Sequence, residues 1–98
     1  MLFAFICTDK PDGLPIRKAQ RPEHLAYLKS LGNALKFAGP FTQEDGETMT
    51  GSLVVVEASS LDAARAIAND DPFAKAGLFA SVEIRPWLWS LGKPNEKA

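Results

Sequence analysis

Cysteine and histidine occur once each in this chain of 98 residues, and those two scarcities remove several classes of function. Cys7 has no partner for an intrachain disulfide, which suits a reducing compartment. One imidazole and one thiol are too few for a structural zinc site within one chain, so no metal is expected, and no cofactor is implied. A serine nucleophile such as Ser52 would need a second histidine for activation beside His24, which excludes serine-hydrolase chemistry. Charge of one sign is also missing. Eleven Lys and Arg against twelve Asp and Glu give a formal net charge of -1, with no basic footprint for nucleic acid. The apolar run Met1 to Cys7 is far shorter than the roughly 20 residues a bilayer span needs. It lacks the leading basic residues and cleavage site of a signal peptide, so a cytoplasmic protein without membrane contact is expected. Gly39, Gly46 and Gly51 stand outside any strand–glycine–helix context, so no phosphate loop is present.

What remains is ordinary globular composition, 46% hydrophobic and 23% charged, with room for one core and one domain over 1–98. Leu2 to Thr8 reads as a strand apolar on both faces, Leu2/Ala4/Ile6 and Phe3/Phe5/Cys7, ended by the turn cluster Asp9 to Gly13. Leu14 to Gln20 fits either an extra turn of helix or a structured loop. Pro22 fits the first residue of a helix, with Leu25, Leu28, Leu31, Leu35 and Phe37 as its buried stripe and Lys29 and Lys36 in water. Gly39-Pro40 is expected to stop this helical region before a short extended piece through Phe41 and Thr42. Gln43 to Gly51 reads as a hairpin loop and Ser52 to Ala58 as the clearest strand. Ser59 or Ser60 then caps a second helix carrying Asp62 in its first turn and small residues along Ala63 to Ala68. After Asp71-Pro72 a brief helical turn leads to a last strand, Phe79 to Arg85, ended by Pro86-Trp87. The tail from about Gly92 is polar and expected to fray. The order β-α-β-β-α-β is that of a ferredoxin-like α+β sandwich. Helices cover one sheet face, and a second copy packed sheet against sheet is the simplest cover for the other, with Trp87 and Trp89 placed first at that interface.

His24 and one aspartate of the Asp70-Asp71 turn are the residues with a chemical use. An imidazole beside a carboxylate is the smallest set here that moves protons, and it requires the turn at Arg21-Pro22-Glu23-His24 to meet the turn at Asp70-Asp71-Pro72. A helix N-terminus at His24 would favour the neutral base. Asp71 before Pro72 equally fits a helix N-cap, and one carboxylate has enough lone pairs for both roles. Arg17, Arg21 and His24 stand at spacings of four and three, so a continuous helix puts them on one face as a cationic lip for an anionic or phenolic substrate. Ser52, at the start of its strand, is placed to donate a hydrogen bond to the same cleft.

The chain resembles the YciI-like (YCII-related) proteins. The residues that carry the resemblance are Asp9-Lys10, Arg21-Pro22, His24-Leu25, Gly39-Pro40, Gly51-Ser52, Ser60-Leu61, Ala63-Ala64, Asp71-Pro72, Ala76-Gly77 and Pro86, in order across nearly the whole domain. Gly32 to Phe37 looks shorter than the usual pattern. The resemblance implies a dimeric α+β barrel, mostly bacterial, whose members carry a His–Asp pair in a cleft; here these are His24 and Asp71. It also implies elimination (lyase-type) chemistry on a small organic substrate, for which His24 is expected as general acid or base; Arg17, Arg21 and Ser52, from their own placement, are expected to bind that substrate. A non-catalytic small-molecule-binding or dimerising accessory module is the alternative.

Overall fold

A computed structural model describes residues 1–93. Four antiparallel strands form one sheet in the order β2-β3-β1-β4: β1 is Leu2–Asp9, β2 Leu35–Thr42, β3 Met49–Glu57 and β4 Phe79–Trp87. Helices α1 (Leu14–Ser30), α2 (Leu61–Asp70) and the short α3 (Pro72–Lys75) pack on one face, which makes the expected ferredoxin-like α+β topology.

Alternation of side chains explains how the two central strands divide. Phe3, Phe5 and Cys7 of β1 join Val54 and Val56 of β3 under Leu28 of α1 and Ala64 and Ala68 of α2. The alanines of α2 let its backbone come close to the sheet, and Tyr27 Oη ties α1 to it by donating to the Ile67 carbonyl oxygen at 2.7 Å. Ser60 caps α2, accepting from the Ala63 N–H. Leu2, Ala4, Ile6, Leu53 and Val55 face the side that carries no helix. The Phe3/Phe5 pair therefore belongs to the core, and the uncovered face is built from its alternates. Trp87 and Trp89 lie on that uncovered face, where their rings meet Phe37 edge-on at 5.7 and 4.9 Å between centroids.

Proline is where the sequence reading departs most from the fold. Pro22 lies inside α1, not at its start; Pro15 takes the first turn and Leu14 to Gln20 is helical. The ring of Pro22 is exposed, so the carbonyl one turn back that loses its N–H partner is left to water. The helix ends at Ser30, and Gly32, with φ of +60°, reverses the chain through a 3-10 turn at Gly32–Ala34. Leu35 and Phe37 are consequently strand residues, not the tail of a helical stripe. Gly39-Pro40 does not stop a helix but lies within β2, while Pro86-Trp87 forms the last two residues of β4, two residues beyond the expected end; both are edge strands, which tolerate a missing N–H. Strand β3 also starts earlier than expected, at Met49, which shortens the hairpin loop. The frayed tail expected from Gly92 concerns mainly residues 94–98, which lie outside the described residues.

Gly51 lies where β3 comes close to the backbone of β1. A Cβ there would sit 2.2 Å from the carbonyl oxygen of Cys7, a backbone atom that cannot swing aside. Gly51→Ala is therefore expected to force β1 and β3 apart and to cost about 3 kcal/mol, the upper end of ordinary overpacking. A urea melt reads this directly, and an unchanged midpoint would mean the strands tolerate the methyl group.

Candidate active site

The site is assembled from five elements, helices α1 and α3 and strands β1, β2 and β3. Helix α1, continuous through Pro22, presents Arg17, Arg21 and His24 on one side, as the spacing requires. All three line a cleft of about 110 Å³ closed by Leu25 and Leu28, by Ala38 to Pro40 of β2, and by Met49, Ser52 and Val54 of β3. His24 stands in the middle of α1, not in its first turn, so the helix-dipole argument for a neutral imidazole does not apply.

Behind the cleft, His24 Nδ1 lies 2.9 Å from both Asp71 oxygens, and both side chains are nine-tenths buried or close to it. Asp71 Oδ1 also accepts from the Phe73 N–H at 2.9 Å. The carboxylate thus caps α3 and holds the imidazole at once, and Asp70 is left exposed beside it. The Phe73 ring stacks on His24 at 3.9 Å between centroids and 14° between planes, which fixes the remaining rotation of the imidazole. His24 Nε2 makes no hydrogen bond among the described residues. No buried side-chain nitrogen or oxygen among them lacks a partner, so Nε2 is not sealed away and opens toward the cleft.

Arg17 is not an open cationic lip. Only 2% exposed, it places Nε and Nη2 on the two oxygens of Asp9 at 2.7 and 2.9 Å and gives a third bond from Nη2 to Ser52 Oγ at 2.9 Å. Its guanidinium carbon lies 4.7 Å from the Phe73 ring centroid, so one aromatic ring orders both Arg17 and His24. Arg21 is exposed and forms the rim. Asp9 and Phe73 are the two residues that sequence reasoning missed as parts of the site. Asp9-Lys10 stood among the familiar dipeptides, but its bond to Arg17 spans a turn whose geometry the sequence does not display; nothing local marks Phe73.

Cys7 lies beneath this network. Burial, chiefly, and the negative charge of Asp71 push its thiol up to about 12, which leaves it a packing residue, not a nucleophile. Among the described residues no group of three or more His, Cys, Asp or Glu side chains is placed to hold a metal, and no helix is long and apolar enough to cross a membrane. A larger groove of about 830 Å³ opens between Leu35, Lys36, Glu57, Trp87 and Trp89. Volume alone favours that groove; chemistry favours the small cleft, because Glu57 is engaged by the N-terminal ammonium and no imidazole lines the groove among the described residues.

Comparison with known proteins agrees with the fold. A family model of the YCII-related domain matches residues 1–88. The protein YciI of Escherichia coli is 38% identical over 94 residues, covering 89% of this chain and 96% of its own. An uncharacterized protein of Haemophilus influenzae is 37% identical over the same share. Among solved structures, 5-chloro-2-hydroxyhydroquinone dehydrochlorinase of Burkholderia phenoliruptrix, in complex with 2,5-dihydroxybenzoquinone, is 38% identical with a TM-score of 0.81, covering 98% of this chain and 100% of that one. A protein of Agrobacterium tumefaciens, 19% identical with a TM-score of 0.55 over 96% of this chain and 98% of its own, shares the fold alone.

Proposed function

This chain belongs to the YCII-related family, and from that premise we propose that it is an acid–base enzyme of elimination type acting on a small organic substrate, with His24 as the base. The observation that carries the reading is the imidazole held through Nδ1 by both oxygens of a buried carboxylate while Nε2 opens to a cleft. In the step proposed, Nε2 takes an acidic proton from the substrate. The electron pair released forms a new double bond, and the leaving group departs with its own bonding pair. The imidazolium so formed is stabilised by Asp71, which keeps its charge throughout. Arg17 and Arg21, on the same helix as His24, and Ser52, on the facing strand β3, bind the substrate.

The similar dehydrochlorinase acts by loss of a chloride, which makes a halogenated hydroxyhydroquinone the first compound to assay. The purified protein is expected to release chloride from it well above the uncatalysed rate. No release from that compound or from other activated ring substrates, with the cleft demonstrably intact, would leave a binding module in place of an enzyme.

The same reading includes a homodimer. The helix-free face presents Leu2, Ile6, Leu53, Phe37 and Phe41, the last 41% exposed, and such a face is stabilised by a second copy. Light scattering at micromolar concentration is expected to give twice the chain mass. A clean monomer would remove the sheet-to-sheet arrangement.

A further inference from the structure

We propose that Phe73 is a positioning residue that works as an insulating spacer: its ring stands between Arg17 and His24 and reserves Asp71 for the imidazole. The inference deepens the elimination reading and rests on it only for the use made of His24.

The site brings two buried carboxylates, Asp9 and Asp71, near one permanent cation, and affinity alone would pair them differently. A guanidinium offers a carboxylate charge-assisted, two-pronged hydrogen bonds, each roughly twice as strong as one from a neutral imidazole. Asp71 with free access to Arg17 would therefore turn to it. Instead Arg17 gives its hydrogen bonds to Asp9 and Ser52, and both oxygens of Asp71 lie 2.9 Å from His24 Nδ1. The two pairs are close all the same, since the thiol of Cys7 feels the charges of Asp71, Arg17 and Asp9 together.

Phe73 supplies the separation. Arg17 and His24 stand on one side of α1, two turns or about 10.5 Å apart along its axis. The Phe73 ring enters from α3 and meets both. The imidazole stacks on it at 3.9 Å between centroids, and the guanidinium carbon lies 4.7 Å from the ring centroid. A parallel imidazole at that distance covers one face of the ring and leaves the other to the cation. The ring is fully buried and is met edge-on by Phe79 at 6.1 Å, so it has no room to swing out of the gap. The backbone of the same residue anchors the carboxylate, through the Phe73 N–H to Asp71 Oδ1 at 2.9 Å. One residue thus holds Asp71 in place and screens it from the stronger partner.

The tautomer of His24 tests the spacer without any turnover. Nitrogen-15 chemical shifts of the neutral ring are compared between folded wild type and variants, with thermal melts confirming the fold. Wild type is expected to carry the ring proton on Nδ1, facing Asp71. Phe73→Leu opens the gap, so Arg17 is expected to take Asp71 and the ring proton to move to Nε2 in most molecules. Phe73→Met, with an unbranched chain that fills irregular space, carries the same test if the leucine variant does not fold. Asp9→Asn releases Arg17 from its own carboxylate but keeps the ring, and should leave the proton on Nδ1. Adding Asp9→Asn and Arg17→Gln to Phe73→Leu removes the competing cation together with its counter-ion, and should return the proton to Nδ1. A ring that only filled space would show no such rescue. An Nδ1 proton that persists in Phe73→Leu, that is lost in Asp9→Asn, or that is not restored in the triple variant overturns the spacer. Chloride release decides the elimination reading separately, so either idea can fail while the other stands.

Discussion

Replacing His24 with glutamine is expected to lower turnover by about 100- to 10,000-fold, the usual contribution of a positioned general base, while ligand affinity stays within a few-fold of wild type. Glutamine preserves a polar side chain of related size in the cleft wall but cannot accept a proton at neutral pH. Its loss of stacking on Phe73 will cost some stability, which a thermal melt corrects for. The split between turnover and affinity separates the two readings of this domain. A base acts on the transition state, so its removal depresses kcat, whereas a binding module has no turnover to lose. If His24→Gln retained wild-type chloride release, the proton would be leaving by another route and His24 would be a packing residue.

Local chemistry made much of the architecture legible, and proline made the rest misleading. Short apolar runs rich in aromatic and β-branched residues place β1 within one residue and β3 within three. The cap at Ser60 and the small face of α2 were equally open to reading. Pro22 and Pro40 suggest boundaries because proline lacks an N–H, yet each lies where that N–H is not needed, on an exposed helix flank or an edge strand, whereas Pro86 does stand one residue before the end of β4. Whether a strand is at an edge is a property of the whole sheet, which no window of sequence contains. Leu35 and Phe37 fit a helical spacing and a strand spacing equally well. The reversal at Gly32 decides between them, and a glycine's sign of φ is not written in its neighbours.

The site was legible for a different reason. The scarcity of titratable candidates in this chain left His24 as the one imidazole to place, and resemblance supplied Asp71. Its distances, and the double use of Asp71 Oδ1, required the fold. Arg17 shows the limit of face-by-face reasoning. Helical spacing correctly placed it beside His24, but only β1 could reveal that Asp9 meets it and turns a supposed open cation into a buried fork aimed at Ser52.

Asp71→Asn is expected to reduce turnover about 10,000-fold with little loss of stability, because it inverts the tautomer of His24 without disturbing the helix cap. The Phe73 N–H must keep an acceptor, and it lies 2.9 Å from Oδ1. In the variant the amide oxygen therefore stays on Phe73, and the NH2 group turns toward His24 Nδ1. Nδ1–H would then face a second donor, and although Oδ1 stays 2.9 Å from Nδ1 it is shared with the Phe73 N–H, so the proton of the neutral imidazole is expected to move to Nε2. The lone pair that faces the cleft is then gone, although every heavy atom stands where it stood. Nitrogen-15 chemical shifts of the neutral ring report the exchange: the wild type should carry its proton on Nδ1 and the variant on Nε2. Asp71→Ala provides the contrast, since it removes cap and partner together and should also cost about 1 kcal/mol of stability. Should the ring of Asp71→Asn keep its proton on Nδ1, or should turnover survive the inversion, the carboxylate serves α3 alone and His24 works without it.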